Sequence, residues 1–393
     1  MTRIAVTGMG ALCAIGTDTG EIARSLLKGE AGVTESGFSS LTYRPVLGRV
    51  SLTNEQLWEL IKVPHIHPPH SRTALLALAA AMHATGNDHA HQDTVVISAS
   101  TVGGMDVTEQ HFGTWAAGGR EHIERIREHP VGFHTGLIAK ALGSHAFQTT
   151  ISTACSSSAN AIAMGARMLR NGMANKVLAG GADALCRFTI EGFRALSAMD
   201  PLPCRPFSED RNGMNLGEGA AYLLLERLDD VVASGRTPIA ILSGWANRND
   251  AFHQTATSDH GEGPYLAMQA ALQVADLHVS AIDHINAHGT GTTNNDATEA
   301  TAMERLFPQV PAFTSTKAYT GHTLGAAGAL EAVISMLCMR EGFIPGMPRN
   351  TIPMAGHRTI PEAGMLKRRP RHVLSNSFGF GGNDSSLIFS SPA

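Results

Sequence analysis

Short unbroken apolar runs alternate along the chain with longer stretches rich in alanine and methionine, and clusters of glycine separate the two. Apolar runs of four to eight residues bounded by turn residues predict strands buried on both faces. They fall at 3–7, 94–99, 176–184 (KVLAGGADA), 220–228 (AAYLLLERL), 236–245 and 284–286, and in the closing strand-turn-strand HVLSNSFGFGGNDSSLIFS. The strands at 3–7 and 176–184 are expected to end at their glycines, Gly8 and Gly10 in the first and Gly180 and Gly181 in the second. Helical periodicity marks 21–28, 74–84, 264–275 and 294–306, with polar loop between the first of these helices and about Leu47. Strands alternating with helices throughout predict an α/β protein with buried mixed sheets. Both halves repeat that grammar, so two similar units are expected, 1–240 and 241–393, packed together as one body. Their sequences share too little to establish a duplication.

Bulk composition removes several classes of function. A chain of 393 residues with 43% hydrophobic and 16% charged content folds rather than staying disordered. Its net charge of -4 offers no basic field for nucleic acid or anionic lipid. The five cysteines, at 13, 155, 186, 204 and 338, form no CxxC pair and no even framework, which fits reduced thiols in the cytoplasm. The start, MTRIAVTGMGALCAIG, enters a strand directly and carries no signal-peptide pattern, and no apolar run approaches the roughly 18 residues of a membrane span. His65, His67 and His70 stand among prolines without a cysteine or paired carboxylate, so a solvated loop is expected there and no metal site. The third glycine of a dinucleotide fingerprint beginning at Gly8 would fall on Cys13, and that motif fails.

The stretch 150–172, TISTACSSSANAIAMGARMLRNG, opens on β-branched residues, passes a cysteine set among hydroxyls, and continues as a helix. Cys155 therefore sits on a strand-to-helix turn, with Ser156, Ser157 and Ser158 as first-turn or N-cap residues. A helix N-terminus stabilises a thiolate, and the thiolate is the nucleophile. A small buried cysteine packed under a helix has the same local sequence. His288, in NAHGTGTTNND, and His322, in STKAYTGHTLGAAG, lie in turns; each alone reads first as a structural histidine bonded to a backbone carbonyl and only second as a catalytic imidazole.

Taken together, TACSSS, AHGTGT with Asp296 and Glu299 behind it, STKAYTGHTLGAAGALEA and NSFGFGG closely resemble the β-ketoacyl-acyl-carrier-protein synthases of the elongating, Cys-His-His class. VTGMGALCAIG and RPFSEDRNGMNLGEGAA resemble further segments of that family, so the resemblance spans essentially the whole chain. It implies a thiolase-like fold of two similar α/β halves in five layers (αβαβα), an active site at their junction, and a homodimer or a heterodimer with a related subunit. It implies that Cys155 carries an acyl group as a thioester, that malonyl on an acyl carrier protein is decarboxylated, and that the resulting carbanion attacks that thioester. His288 and His322 would donate through Nε2 to the enolate oxygen. Lys317 would organise the site and pair with Glu331. Backbone N–H groups of Cys155 and Phe380 would hold the acyl oxyanion, with Gly379 and Gly381 making the Phe380 turn mobile. Thr290 and Thr292 would bond the pantetheine arm, and Val102 would line the acyl pocket. No metal and no free cofactor is implied, because phosphopantetheine arrives on the carrier.

The sequence departs from the family pattern at Asn383-Asp384, where Thr-Asn is usual, and at Ser208, Asn212 and Met214, which replace two aspartates and a phenylalanine. These departures point to a specialised synthase, such as one of an aryl-polyene or other pigment pathway, beside ordinary fatty-acid elongation. Three rival readings share the fold. A thiolase needs a second cysteine near the C-terminus, which NSFGFGG lacks. Initiating synthases use Cys-His-Asn, against His322. A non-catalytic chain-length-factor subunit loses the nucleophile, against Cys155.

Overall fold

Ten strands make one continuous sheet: β1 (Ile4–Leu12), β2 (Val95–Ala99), β3 (Gln148–Ile151), β4 (Lys176–Asp183), β5 (Gly219–Arg227), β6 (Ala240–Asn249), β7 (His284–Asn286), β8 (Ala312–Thr314), β9 (His372–Gly379) and β10 (Asn383–Ser390). The computed structural model describes residues 2–38, 41–61, 63, 65–86 and 91–392; Ser39 and Ser40, in the stretch read as polar loop, lie outside them. Across the sheet the strands run β3-β2-β4-β5-β1 and then β6-β10-β9-β7-β8. Numbered within each set of five, the order is 3-2-4-5-1 both times, parallel at 3-2 and 2-4 and antiparallel at 4-5 and 5-1. The same connectivity thus occurs twice where sequence identity is silent. The two sets meet at β1 and β6, through Ile4, Ala5 and Val6 opposite Leu242, Ile241 and Ala240.

Successive strand residues feed different cores, which is why the apolar runs are unbroken. Val177 and Ala179 of β4 enter a central core, while Leu178 between them enters an outer one under helix α1 (Arg72–Ala84). In β10, Leu387 and Phe389 join the central core, and Ile388 packs outward against helices α3 (Glu262–Ala275) and α4 (Thr293–Leu306). The central layer consists of α2 (Ser157–Arg170) and α5 (Ala327–Glu341). All residues of α5 but its last two are buried, as expected of a helix that is apolar all round, yet one of the buried ones is a carboxylate, Glu331. An outer helical layer, the first strand set, the α2–α5 pair, the second strand set and the α3–α4 pair give the five layers.

Three local expectations change. Neither β1 nor β4 stops at its glycines; both strands run through them. Gly8 and Gly10 serve close packing, since a Cβ there would lie 2.0 Å from Ala84 O and 2.2 Å from Ala80 O of α1. The expected polar loop before Leu47 contains an antiparallel ribbon of Val33–Glu35 with Val46–Gly48. The strand expected at 236–245 is shifted to Ala240–Asn249.

Candidate active site

Between β3 and α2 the chain turns through Ala154, whose φ of 52° is strained for a residue with a Cβ. Ser157 holds that turn: its N–H donates to Ala154 O (3.1 Å), and its hydroxyl accepts from Thr153 N–H (2.8 Å). The elbow places Cys155 on the wall of a cavity of about 340 Å³, which His288 and His322 also line. Ser156 does not cap the helix with its side chain. Its hydroxyl donates instead to Asn383 Oδ1 (2.7 Å), an oxygen that also accepts from Asn160 (2.9 Å) and Asn247 (2.7 Å). Asn383, one of the family departures, thereby ties the cysteine elbow to the second half.

The expected resting thiolate is corrected. Cys155 is buried, and burial pushes its thiol up to about 12, with the Lys317 charge the largest opposing influence. Desolvation disfavours the charged form more than the Lys317 charge and a backbone N–H favour it, and the Asp183 and Glu331 charges add to the rise. The sulfur rests as a neutral thiol.

The imidazoles come from the second half. Lys317 Nζ lies 3.1 Å from His288 Nδ1 and forms a buried ion pair with Glu331. An ammonium only donates, so Nδ1 of His288 accepts and its proton resides on Nε2. In His322, Nδ1 accepts from the Leu324 N–H (3.1 Å), which again leaves the proton on Nε2, and that nitrogen is buried without a partner. The two rings meet edge to face at 5.4 Å between centroids. Burial, and then the Lys317 charge, hold both well below the ordinary histidine range, so both are neutral donors. Burial likewise pushes Glu331 up to about 7, against the pull of Lys317.

Two carboxylates support the imidazole turns, Glu299 from the motif behind His288 and Asp183 from outside every motif. Glu299 takes the N–H groups of His288 (2.9 Å) and Gly289 (2.8 Å), together with the Asn376 amide (2.9 Å), and so fixes the turn after β7. Asp183, at the end of β4, accepts from Ser100 Oγ (2.6 Å), Thr101 Oγ1 (2.8 Å) and Gly325 N–H (2.7 Å). It thereby anchors the loop whose Leu324 amide orients His322. A lone aspartate closing an apolar strand is the one signal that could have found it.

Thr290, Thr292, Gly379 and Phe380 line the cavity with Cys155, as do Asn212 and Met214 among the departures. The hydroxyls of Thr290 and Thr292 lie 2.8 Å apart. At the mouth Phe380 is exposed and its ring sits 5.8 Å from that of Phe193. Gly379 abuts the elbow: a Cβ there would lie 3.0 Å from Thr153 O and 3.3 Å from Cys155 N. Gly381 turns the hairpin at φ 82° without lining the cavity. Lys317 and Glu331 stand behind His288, and Val102 is not on the cavity wall. His70 Nδ1 lies 2.9 Å from buried Glu128, and no metal-holding group of His, Cys, Asp and Glu occurs among the described residues.

Comparison with known proteins identifies relatives of the whole chain. Residues 1–231 match the N-terminal domain of β-ketoacyl synthases and residues 239–349 the C-terminal domain. Nodulation protein E of Rhizobium meliloti (strain 1021) is 32% identical over 413 residues, covering 98% of each chain. The 3-oxoacyl-[acyl-carrier-protein] synthase 2 of Staphylococcus aureus (strain N315) is 31% identical over 411 residues, again covering 98% of each. The solved structure of the ketosynthase ApeO in complex with its chain length factor ApeC, from Xenorhabdus doucetiae, superimposes with a TM-score of 0.85 at 32% identity, covering 100% of this chain and 98% of that one. With both domain types in order and relatives aligned over nearly the full length, the chain belongs to the β-ketoacyl synthase family.

Proposed function

We propose that Cys155, His288 and His322 are the catalytic residues of a β-ketoacyl-acyl-carrier-protein synthase. The chain is an acyltransferase of that kind, joining an acyl thioester to malonyl on an acyl carrier protein with loss of CO₂, as in fatty-acid or polyketide elongation. One observation carries the assignment of residues: a sulfur from the first half and two Nε2–H donors from the second line the same cavity.

In the first step Cys155 Sγ attacks the incoming thioester, and its proton leaves with the carrier's thiol. Both imidazoles already hold their proton on Nε2, so neither is a ready base, and direct transfer to the departing sulfur fits a neutral thiol. In the second step the bond to the malonyl carboxylate breaks, CO₂ departs, and the electron pair builds an enolate on the thioester oxygen. His288 and His322 donate to that oxygen. The enolate carbon then attacks the Cys155 acyl carbonyl, the C–S bond breaks, the β-ketoacyl product leaves on the carrier, and the Cys155 thiolate set free takes a proton from water to return to the thiol. Backbone N–H groups of Cys155 and Phe380 hold the acyl oxyanion, a role supported by the contact of Gly379 with the Cys155 amide. Lys317 and Glu331 set the tautomer of His288, and Thr290 and Thr292 bond the pantetheine arm that crosses the cavity.

The chain brings no cofactor of its own to this chemistry; phosphopantetheine enters with the carrier. The boundary of the halves lies at 240/241, where β6 opens the second strand set. Among the described residues no helix is long and apolar enough to cross a membrane, and the cytoplasm, where carrier proteins are charged, is the place we assign. The complex of ApeO with a chain length factor supports a related subunit as partner, beside a second copy of this chain.

The test is reconstitution with acyl-carrier and malonyl-carrier substrates, reading products by mass. A β-ketoacyl carrier two carbons longer, lost in Cys155→Ala, is the expected result. Condensation by the purified Cys155→Ala protein would overturn the nucleophile, and capture of acyl without any malonyl decarboxylation would favour a non-elongating partner subunit.

A further inference from the structure

Asn383 closes the hairpin that carries Phe380, standing opposite Gly379 in the β9–β10 ladder and opposite Asn249 of β6. Its amide oxygen is a meeting point. Ser156 Oγ (2.7 Å), Asn160 Nδ2 (2.9 Å) and Asn247 Nδ2 (2.7 Å) donate to it from the cysteine elbow, from α2 and from β6. A carbonyl oxygen has two lone pairs, so three donors saturate it, and an amide nitrogen pointed there would face the N–H groups of Asn160 and Asn247. The donors are joined in turn: Ser385 Oγ donates to Asn160 Oδ1 (2.8 Å) and accepts from Asn247 Nδ2 (2.9 Å), and Asn160 Nδ2 also donates to Thr153 Oγ1 (2.9 Å). The seam between the halves behind the nucleophile is thus one polar network with the Asn383 oxygen at its centre.

That seam decides the spacing of two donors. The Cys155 N–H follows β3 of the first strand set and the Phe380 N–H follows β9 of the second, and among the described residues neither is spent on a backbone carbonyl. The elbow and the hairpin touch in two places. At one end of the hairpin Gly379 abuts Thr153 O and the Cys155 amide; at the other Asn383 grips Ser156, the residue after the nucleophile. Gly381 and Gly382, at φ 82° and 75°, leave the tip free to turn while both ends are held.

We propose that Asn383 is a positioning residue for acyl transfer: by holding Ser156, its amide oxygen fixes the Cys155 N–H of one half and the Phe380 N–H of the other at a spacing from which both reach the same acyl oxygen. The role rests on the proposed synthase reaction and deepens it. Threonine, usual here in the family, carries its oxygen one bond nearer the backbone and must place a proton of its own, so the three-donor grip belongs to the asparagine. Without that oxygen three donors lose their acceptor and the elbow and hairpin can part; a misplacement of about 1 Å is enough to cost on the order of 10²-fold in rate.

Two rates on the intact protein separate positioning from packing. Transfer from an acyl-carrier donor to Cys155, read by intact mass, uses both N–H groups, whereas alkylation of Cys155 by iodoacetamide builds no oxyanion. In Asn383→Ala acyl transfer should fall at least roughly tenfold while alkylation changes less than about twofold. Asn383→Asp, which keeps an acceptor, should recover most of the acyl transfer. Ser156→Ala cuts the same bond from the other side, should show the same split, and carries the test if Asn383→Ala folds poorly. Equal falls in both rates, or no recovery in Asn383→Asp, overturn the proposal. Hydrogen exchange reads the grip without substrate: 153–157 and 379–383 should both exchange faster in Asn383→Ala than in the native protein, and unchanged exchange also overturns it. If the native protein accepts no acyl group at all, the synthase reading fails, and the exchange result alone decides whether Asn383 holds the elbow to the hairpin.

Discussion

Lys317 Nζ stands 3.1 Å from His288 Nδ1, and that single approach decides which nitrogen of the ring presents a proton to the cavity. Removing the amine in Lys317→Ala frees His288 to carry its proton on either nitrogen and leaves Glu331 buried without its cation. Malonyl decarboxylation is expected to fall on the order of 10²-fold, the usual cost of losing an oriented oxyanion donor. Acylation of Cys155, followed by intact mass, should fall much less; equal losses in both steps would remove Lys317 from the orientation of His288.

Asp183 does for His322 what Lys317 does for His288, at one remove. Asp183→Asn takes away an acceptor from Ser100, Thr101 and Gly325, so the Leu324 amide no longer holds Nδ1 in place. A slower decarboxylation, between roughly 10- and 100-fold, is expected from that misplacement. His322→Ala made in the Asp183→Asn background should add little, and fully additive losses would show that Asp183 acts elsewhere.

Gly379→Ala forces a methyl to within 3.0 Å of Thr153 O and 3.3 Å of Cys155 N. The elbow or the hairpin must shift, at a cost of about 1–3 kcal/mol in stability. Acyl transfer onto Cys155 should slow at least roughly tenfold, because the displaced groups include the proposed oxyanion donors. Denaturant unfolding and acylation rates measured together check this; an unaltered acylation rate would place the oxyanion site away from this contact.

Stability should decline as pH rises toward about 8. The folded protein holds Asp384 protonated up to about 8, whereas an unfolded aspartate ionises in the ordinary carboxylate range. Between those two values the native state binds more protons than the unfolded one, so raising pH favours unfolding. Melting temperatures in a buffer series should show that decline in the native protein and a flatter profile in Asp384→Asn; parallel profiles would contradict the buried acid.

The alternation of apolar runs and glycines was enough to read strands, helices and an α/β class, because residues buried on both faces leave unbroken hydrophobic stretches. The limits of β1 and β4 were misjudged for a physical reason: Gly8 and Gly10 admit α1 at close range rather than turn the chain, and a sequence does not distinguish those uses. The motifs containing Cys155, His288 and His322 were legible, and the cavity they share follows from them. The state of the sulfur was not, since desolvation depends on the whole surrounding packing. Asp183 escaped notice because its partners, Ser100 and Gly325, are far from it in the chain and become neighbours only across the layers.

β1 and β6 join two strand sets of identical order, and the sulfur belongs to one set while both imidazoles belong to the other. During synthesis, the reactive cysteine therefore emerges from the ribosome long before His322 exists. On the proposed mechanism, the cavity that joins the two carbon chains is therefore incomplete until the second repeat has docked against the first.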